Sequence, residues 1–315
     1  WATWRTILSC AATRTGSPPR PCGEPMAIRV AVCYVERRGI LVTHNLWREF
    51  LEIARLPDEE IVLARAALLL AATEDPALDI DRQLGYLDSL AAGASTRLGD
   101  QRDPLFAVNT LSDYLFDEVG FRGNEEDYYD PRNSFLNEVL KRRLGIPITL
   151  ALVYIETGRR LGIPLMGVGL PGHFLVRHRD IDDLVVDPFH NGILLSEAEC
   201  AEQFRQATGE GSPWRRRYLA PIGNREYIAR MVRNLKGAYL RRRDYPRAMH
   251  MFDWLLHLEP PPPLEQRERG VVHLRMGEYR EALEDLRAYL VAEPDSPEAE
   301  AVQDLIDRVR RRLAE

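Results

Sequence analysis

The chain is predicted to be α+β: N-terminal helices feed a small antiparallel sheet, and an all-α helical repeat follows. Two observations carry this. Apolar residues recur at helical spacing up to about residue 161, then give way to short β-type runs separated by Pro171-Gly172 and Asp182-Asp183. From about residue 225 the sequence is helical again and repeats itself at a spacing of 34 residues.

In the helical part, Leu46, Phe50, Leu51 and Ile53 share a face, and a second run from Ile61 to Leu70 follows Pro57. Asp79 is placed to cap a helix through Leu84, Leu87 and Leu90. Asp103-Pro104 opens another, because Pro lacks only an N–H that the first turn leaves unpaired. Gly120 and Gly123 end it and lead into the acidic, aromatic loop Asn124–Pro131. Helices are expected over Ser134–Arg143 and Pro147–Leu161, and strands over Leu165–Leu170, His173–His178, Leu184–Asp187 and Ile193–Leu195. Residues 211–224 read as a linker. Beyond it, Asp244-Tyr245-x-x-Ala248 returns as Glu278-Tyr279-x-x-Ala282, Leu256 as Leu290, and Glu259-Pro260 as Glu293-Pro294. That period, with small residues where paired helices touch, is the tetratricopeptide pattern, closed by a helix over Ser296–Leu313.

Residues 1–25 mix Arg, Ser, Thr, Gly and Pro without period, and residues 1–43 are expected to be disordered or a non-native extension. The domains expected are thus 44–210, a linker at 211–224, and repeats over 225–315. A net charge of −6 and arginine triplets lying among acidic residues argue against a nucleic-acid footprint. No apolar run approaches the ~20 residues of a membrane span. Four scattered cysteines, Cys10, Cys22, Cys33 and Cys200, build neither a disulfide framework nor a CxxC site, so a reducing cytoplasm is expected.

The candidate chemistry lies in 133–189. His173 follows a Pro-Gly turn on one expected strand, and Asp187 sits on the next. An Asp orienting a His that deprotonates a nucleophile is the logic of a catalytic triad. No cysteine lies between Cys33 and Cys200 to supply a thiolate.

Gly120–Asn124, Tyr128–Asn137, Gly145–Leu150, Gly167–Val176, Asp187-Pro-Phe189 and Leu194–Ser196, together with the repeats, resemble the SirB-type family of transglutaminase-like, tetratricopeptide-containing proteins. The resemblance covers residues 44–315. It implies a papain-like transglutaminase core in which a helix bearing the nucleophile packs on a sheet bearing His and then Asp. His173 and Asp187 match the last two positions. The nucleophile position falls near Pro147, where this chain reads Pro147-Ile148-Thr149, so the core is expected to be degenerate. At His190-Asn191-Gly192 the family tends to show a second glycine; Asn tolerates the positive φ such a turn needs.

Thr149 is therefore read either as a nucleophile activated by His173 or as a helix-start hydroxyl. Asn133 or Ser134 is expected to cap a helix, and Asn137, inside it, to make a buried hydrogen bond. Pro147, Gly172 and Phe189 complete the motif. Tyr128 and Tyr129 either rim a binding cleft or pack over a helix. His173 and His178 alternate to opposite faces, and no triple of His, Asp or Glu is spaced for zinc, so neither metal nor cofactor is expected. The leading expectation is a non-catalytic interaction or regulatory protein that binds a protein or peptide through its repeats and former active-site cleft. The alternative is an amide or ester hydrolase or acyl transferase using Thr149 or water, with His173 as base and Asp187 as orienter. A third is that the repeats alone bind and the core is scaffold.

Overall fold

A computed structural model describes residues 44–209, 211–258 and 263–314. The expectation for residues 1–43, and the Glu259-Pro260 half of one repeat match, lie outside them. The described chain forms two compact units that divide between Ala238 and Tyr239.

In the first unit, α1 (His44–Ile53), α2 (Leu63–Ala72), α3 (Ile80–Leu98) and α4 (Pro104–Ser112) precede the core motif. Asp79 caps α3 by accepting the Arg82 N–H, and Asp103 caps α4 by accepting the Phe106 N–H. After α4 the helix widens into a π segment, Asp113–Glu118, closed by the Val119 N–H donating to the Tyr114 carbonyl. α5 (Leu136–Arg142) and α6 (Pro147–Arg160) follow, with Pro147 at the first turn of α6. α6 is the central helix: every residue from Pro147 to Gly158 is buried, between α3 on one side and the sheet on the other. Even Glu156 is buried, its carboxylate held by Arg159 and Arg160.

A short parallel pair, β1 (Arg122–Gly123) with β2 (Leu144–Gly145), was not anticipated. The main sheet is antiparallel throughout, in the order β3 (Leu165–Val168), β4 (Leu175–His178), β5 (Val185–Asp187), β6 (Ile193–Leu195). The observed strands are shorter than the apolar runs: β4 begins two residues after His173, which belongs to the preceding turn. α7 (Glu197–Thr208) then covers one face with Cys200 and Phe204.

Residues 211–224 are not a free linker. Leu219 enters the core cluster with Cys200 and Phe204, Pro221 bridges to Val168, and Asp58 accepts the N–H groups of Asn224 and Arg225. Asp58 thereby caps α8 (Asn224–Arg241), most of which belongs to this unit rather than to the repeats. The Pro- and Arg-rich composition reflects an irregular segment, but its apolar residues are packed.

The second unit contains α9 (Tyr245–Leu258), α10 (Pro263–Met276), α11 (Tyr279–Ala292) and α12 (Ala299–Ala314). Its equivalent positions behave alike, as a repeat requires: Ala248 and Ala282 are both fully buried, and Leu256 and Leu290 both half-buried. α10 and α11 approach closely at Gly270, where an added Cβ would lie 3.0 Å from Leu286 and 3.1 Å from Asp285. Asp285 in turn holds Arg269 at 2.5 and 2.8 Å.

Gly270→Val should therefore overpack this crossing and destabilise the repeat unit by about 2 kcal/mol. Urea unfolding of the full chain measures this; an unchanged midpoint contradicts the close approach.

Candidate functional site

Asp187 sits at the end of β5, fully buried. Its Oδ1 accepts the backbone N–H groups of Phe189 (3.1 Å) and His190 (3.4 Å), which turn the chain Pro188–His190 back over the carboxylate. Its Oδ2 faces His173 Nε2 at 2.8 Å, His190 Nδ1 at 2.7 Å and Gln203 Nε2 at 3.1 Å. Burial alone would disfavour the ionised carboxyl. The hydrogen bonds and electrostatic attraction of His173 and then His190 outweigh it and hold the carboxyl at about 2.

His173 is aimed by its turn. Its N–H donates to the Leu170 carbonyl, and Gly172 supplies the positive φ of +76° that a side chain would resist. A Cβ there would also lie 2.4 Å from Ala207. With Nε2 on Asp187, the ring leaves Nδ1 for another partner. Asn191, at φ 57°, takes the left-handed conformation expected of it, and Gly192 follows at 71°.

Thr149 is not that partner. It is fully buried, and its Oγ1 donates to the Asn133 carbonyl at 2.7 Å and accepts the Ile146 N–H at 3.1 Å. The hydroxyl proton is thus committed to a backbone carbonyl, and the side chain closes the first turn of α6 on the loop before α5. Cys200, the one cysteine among the described residues, offers no substitute. It is packed with Val168, Leu175 and Phe204, where burial first, and the Asp187 charge second, push its thiol up to about 11.

Asn133 and Ser134 do not cap α5, whose N-cap is Phe135 without a side-chain bond. Both are buried, and Asn133 is a junction instead. Its Nδ2 donates to the Asp127 carbonyl at 2.7 Å, and its Oδ1 accepts from Asn124 at 3.0 Å and Arg142 at 3.3 Å. The acidic loop is thereby fastened to both α5 and α6. Asn137 lacks the buried hydrogen bond expected of it: its Oδ1 is buried and unpartnered among the described residues.

Aromatic rings continue outward from the His–Asp pair. Phe189 meets the His173, His190 and Tyr128 rings edge-on, and Tyr128 meets Tyr129 edge-on. Phe189 fits because Gly123 has no side chain; a Cβ there would lie 2.6 Å from its ring. Tyr128 and Tyr129 are exposed, beside exposed Glu125, Glu126 and Asp127. Of the two readings of these tyrosines, the rim agrees with their exposure.

His190 and Gln203 were missed by sequence reasoning. His173, Asp187 and His190 bring three ligand atoms within 4.8 Å of one another, a grouping that could hold a metal ion. The available signal was Asp187-x-x-His190, a turn-length spacing that returns a His to its own Asp. His178, by contrast, lies apart, its Nδ1 accepting the Asp180 N–H.

Two outcomes follow. Thr149→Val keeps the shape but leaves the Ile146 N–H and the Asn133 carbonyl unpaired in the core, so unfolding should show a loss of about 2 kcal/mol. Folding lowers the Asp187 carboxyl from 3.8 to about 2, so the stability it contributes is present above its unfolded value and lost as pH falls through 4 towards 2. That shift corresponds to about 2 kcal/mol. Unfolding free energies of wild type and Asp187→Asn should differ by less at pH 2 than at pH 6; a constant difference contradicts the ionised assignment.

Comparison with known proteins agrees with this architecture. Residues 82–233 match the transglutaminase-like superfamily, and residues 235–307 match the tetratricopeptide repeat. A UPF0162 protein of Xylella fastidiosa is 38% identical over 278 residues, 85% of this chain and 96% of that one. A UPF0162 protein of Vibrio cholerae is 28% identical over 247 residues, 78% of this chain and 91% of that one. A segment of 118 residues, 35% of this chain, is 36% identical to F-box only protein 21 of Homo sapiens, covering 19% of that protein. No solved structure matches the chain. A transglutaminase-like domain followed by tetratricopeptide repeats, matched to such relatives over most of its length, makes this chain a member of the UPF0162 family.

Proposed function

We propose that the protein is a non-catalytic binding protein of the cytoplasm, in which the transglutaminase-like domain presents a recognition surface and the repeats engage a protein partner. The observation that carries this reading is the fate of the hydroxyl at the nucleophile helix. Thr149 is buried and donates to the Asn133 carbonyl, while Cys200 is buried with its thiol pushed up to about 11. A His–Asp pair without a nucleophile orients a base for which these side chains provide no substrate-attacking atom. Tetratricopeptide repeats generally mediate protein interactions, which supports the second half of the reading.

Surface chemistry suggests the kind of segment the core takes. Exposed Glu125, Glu126 and Asp127 adjoin exposed Tyr128 and Tyr129, a combination suited to an arginine- or lysine-bearing chain through ion pairing and contact with ring faces.

Two measurements test this. A panel of glutamine-peptide plus amine, amide and ester substrates should give the same background rate with wild type as with folded His173→Ala; turnover that falls a hundredfold in the variant overturns the non-catalytic reading. Fluorescence anisotropy with an array of extended peptides should favour basic ones. Reversal of Glu125 and Glu126 to Lys should weaken them about tenfold; unaltered binding contradicts the assigned surface.

A further inference from the structure

We propose that His173, Asp187 and His190 form a binding site for a divalent cation of the zinc type, with Gln203 as its fourth protein ligand. The donor atoms are His173 Nε2, Asp187 Oδ2 and His190 Nδ1, all within 4.8 Å of one another. The two nitrogens lie 2.8 and 2.7 Å from the same carboxylate oxygen. Ligand atoms around tetrahedral zinc, with bonds of about 2.0–2.1 Å, stand about 3.3 Å apart. Each His–Asp distance would open by about half an ångström, and the two nitrogens, within 4.8 Å of one another, would settle to the same spacing around the ion.

The hydrogen bonding around Asp187 points the same way. A carboxylate oxygen has two lone pairs, yet three side-chain donors converge on Oδ2, the third being Gln203 at 3.1 Å. A cation relieves this crowding by taking the place of the ring hydrogens. In a neutral imidazole each hydrogen moves through solvent to the opposite ring nitrogen, so no proton need be released. Gln203 is the fourth candidate ligand because its amide reaches the same oxygen. Turning the amide end for end exchanges its two atoms, which are assigned from hydrogen bonding alone. The carbonyl oxygen then faces the ligand cluster, where it would repel the bare carboxylate but coordinate a cation.

The surroundings suit an ion. Asp187 is fully buried, and its carboxylate lies at the centre of the cluster, between the two imidazoles. Its other oxygen is fixed by the N–H groups of Phe189 and His190, the outer bonding that orients a metal-ligating carboxylate. Two imidazoles with a carboxylate favour zinc and its first-row neighbours over calcium or magnesium. Such a site gives the His173–Asp187 pair a use that needs no nucleophile.

The test is isothermal titration of the chelator-treated full chain with zinc chloride, with thermal unfolding as a second readout. Wild type should take up one equivalent that is weakened at least tenfold in His190→Ala and in His173→Ala, and less strongly in Gln203→Leu. His257→Ala, in the repeat unit, should match wild type. Zinc should raise the unfolding temperature of wild type more than that of His190→Ala. Because the His190 side chain is 47% exposed, its replacement leaves the fold intact. Absence of uptake, or uptake unchanged in folded His190→Ala, overturns the site.

Discussion

The candidate site depends on one buried anion. Asp187 gathers donors from the turn before β4, from the Pro188–His190 turn, and from Gln203 on α7. An ionised carboxyl with no exposure would be costly without these bonds, because removing a charge from water is offset only by close, well-directed partners. The same bonds set where His173, His190 and Phe189 stand. The outward ring contacts from Phe189 to Tyr128 thus rest on it as well.

Around this anion the transglutaminase-like domain turns Thr149, the candidate nucleophile, to structural use. Thr149 joins α6 to Asn133, and Asn133 joins the acidic loop to α5 through Arg142. What would be a reactive hydroxyl is a stitch between backbone segments. The one described cysteine lies in the apolar layer between sheet and α7, where a thiolate is disfavoured. These placements of Thr149 and Cys200 are what the proposed binding role rests on.

Much of this was legible in the sequence. Capping by Asp79 and Asp103, Pro147 at a helix start and the 34-residue return of Ala248 as Ala282 are local or periodic, and they appear as expected. The His173–Asp187 pair followed from neighbouring antiparallel strands. What escaped was set by tertiary packing. Asn133 resembles a cap until its buried partners are seen, and Gln203 reaches Asp187 only because α7 folds back over the sheet. Residues 211–224 have the composition of a linker, yet Leu219 and Pro221 are anchored by segments remote in sequence. His190 was hidden by treating Asp187-Pro-Phe as a complete motif.

The most direct test of the account is long-range proton–nitrogen NMR of the histidine side chains in the chelator-treated protein at neutral pH. A proton is expected on Nε2 of His173 and on Nδ1 of His190, the two nitrogens that face the Asp187 carboxylate. Loss of both signatures in Asp187→Asn would tie them to that carboxylate. A hydrogen-free Nε2 on His173, or spectra unaffected by the Asp187 change, would contradict the buried anion as the organiser of the site.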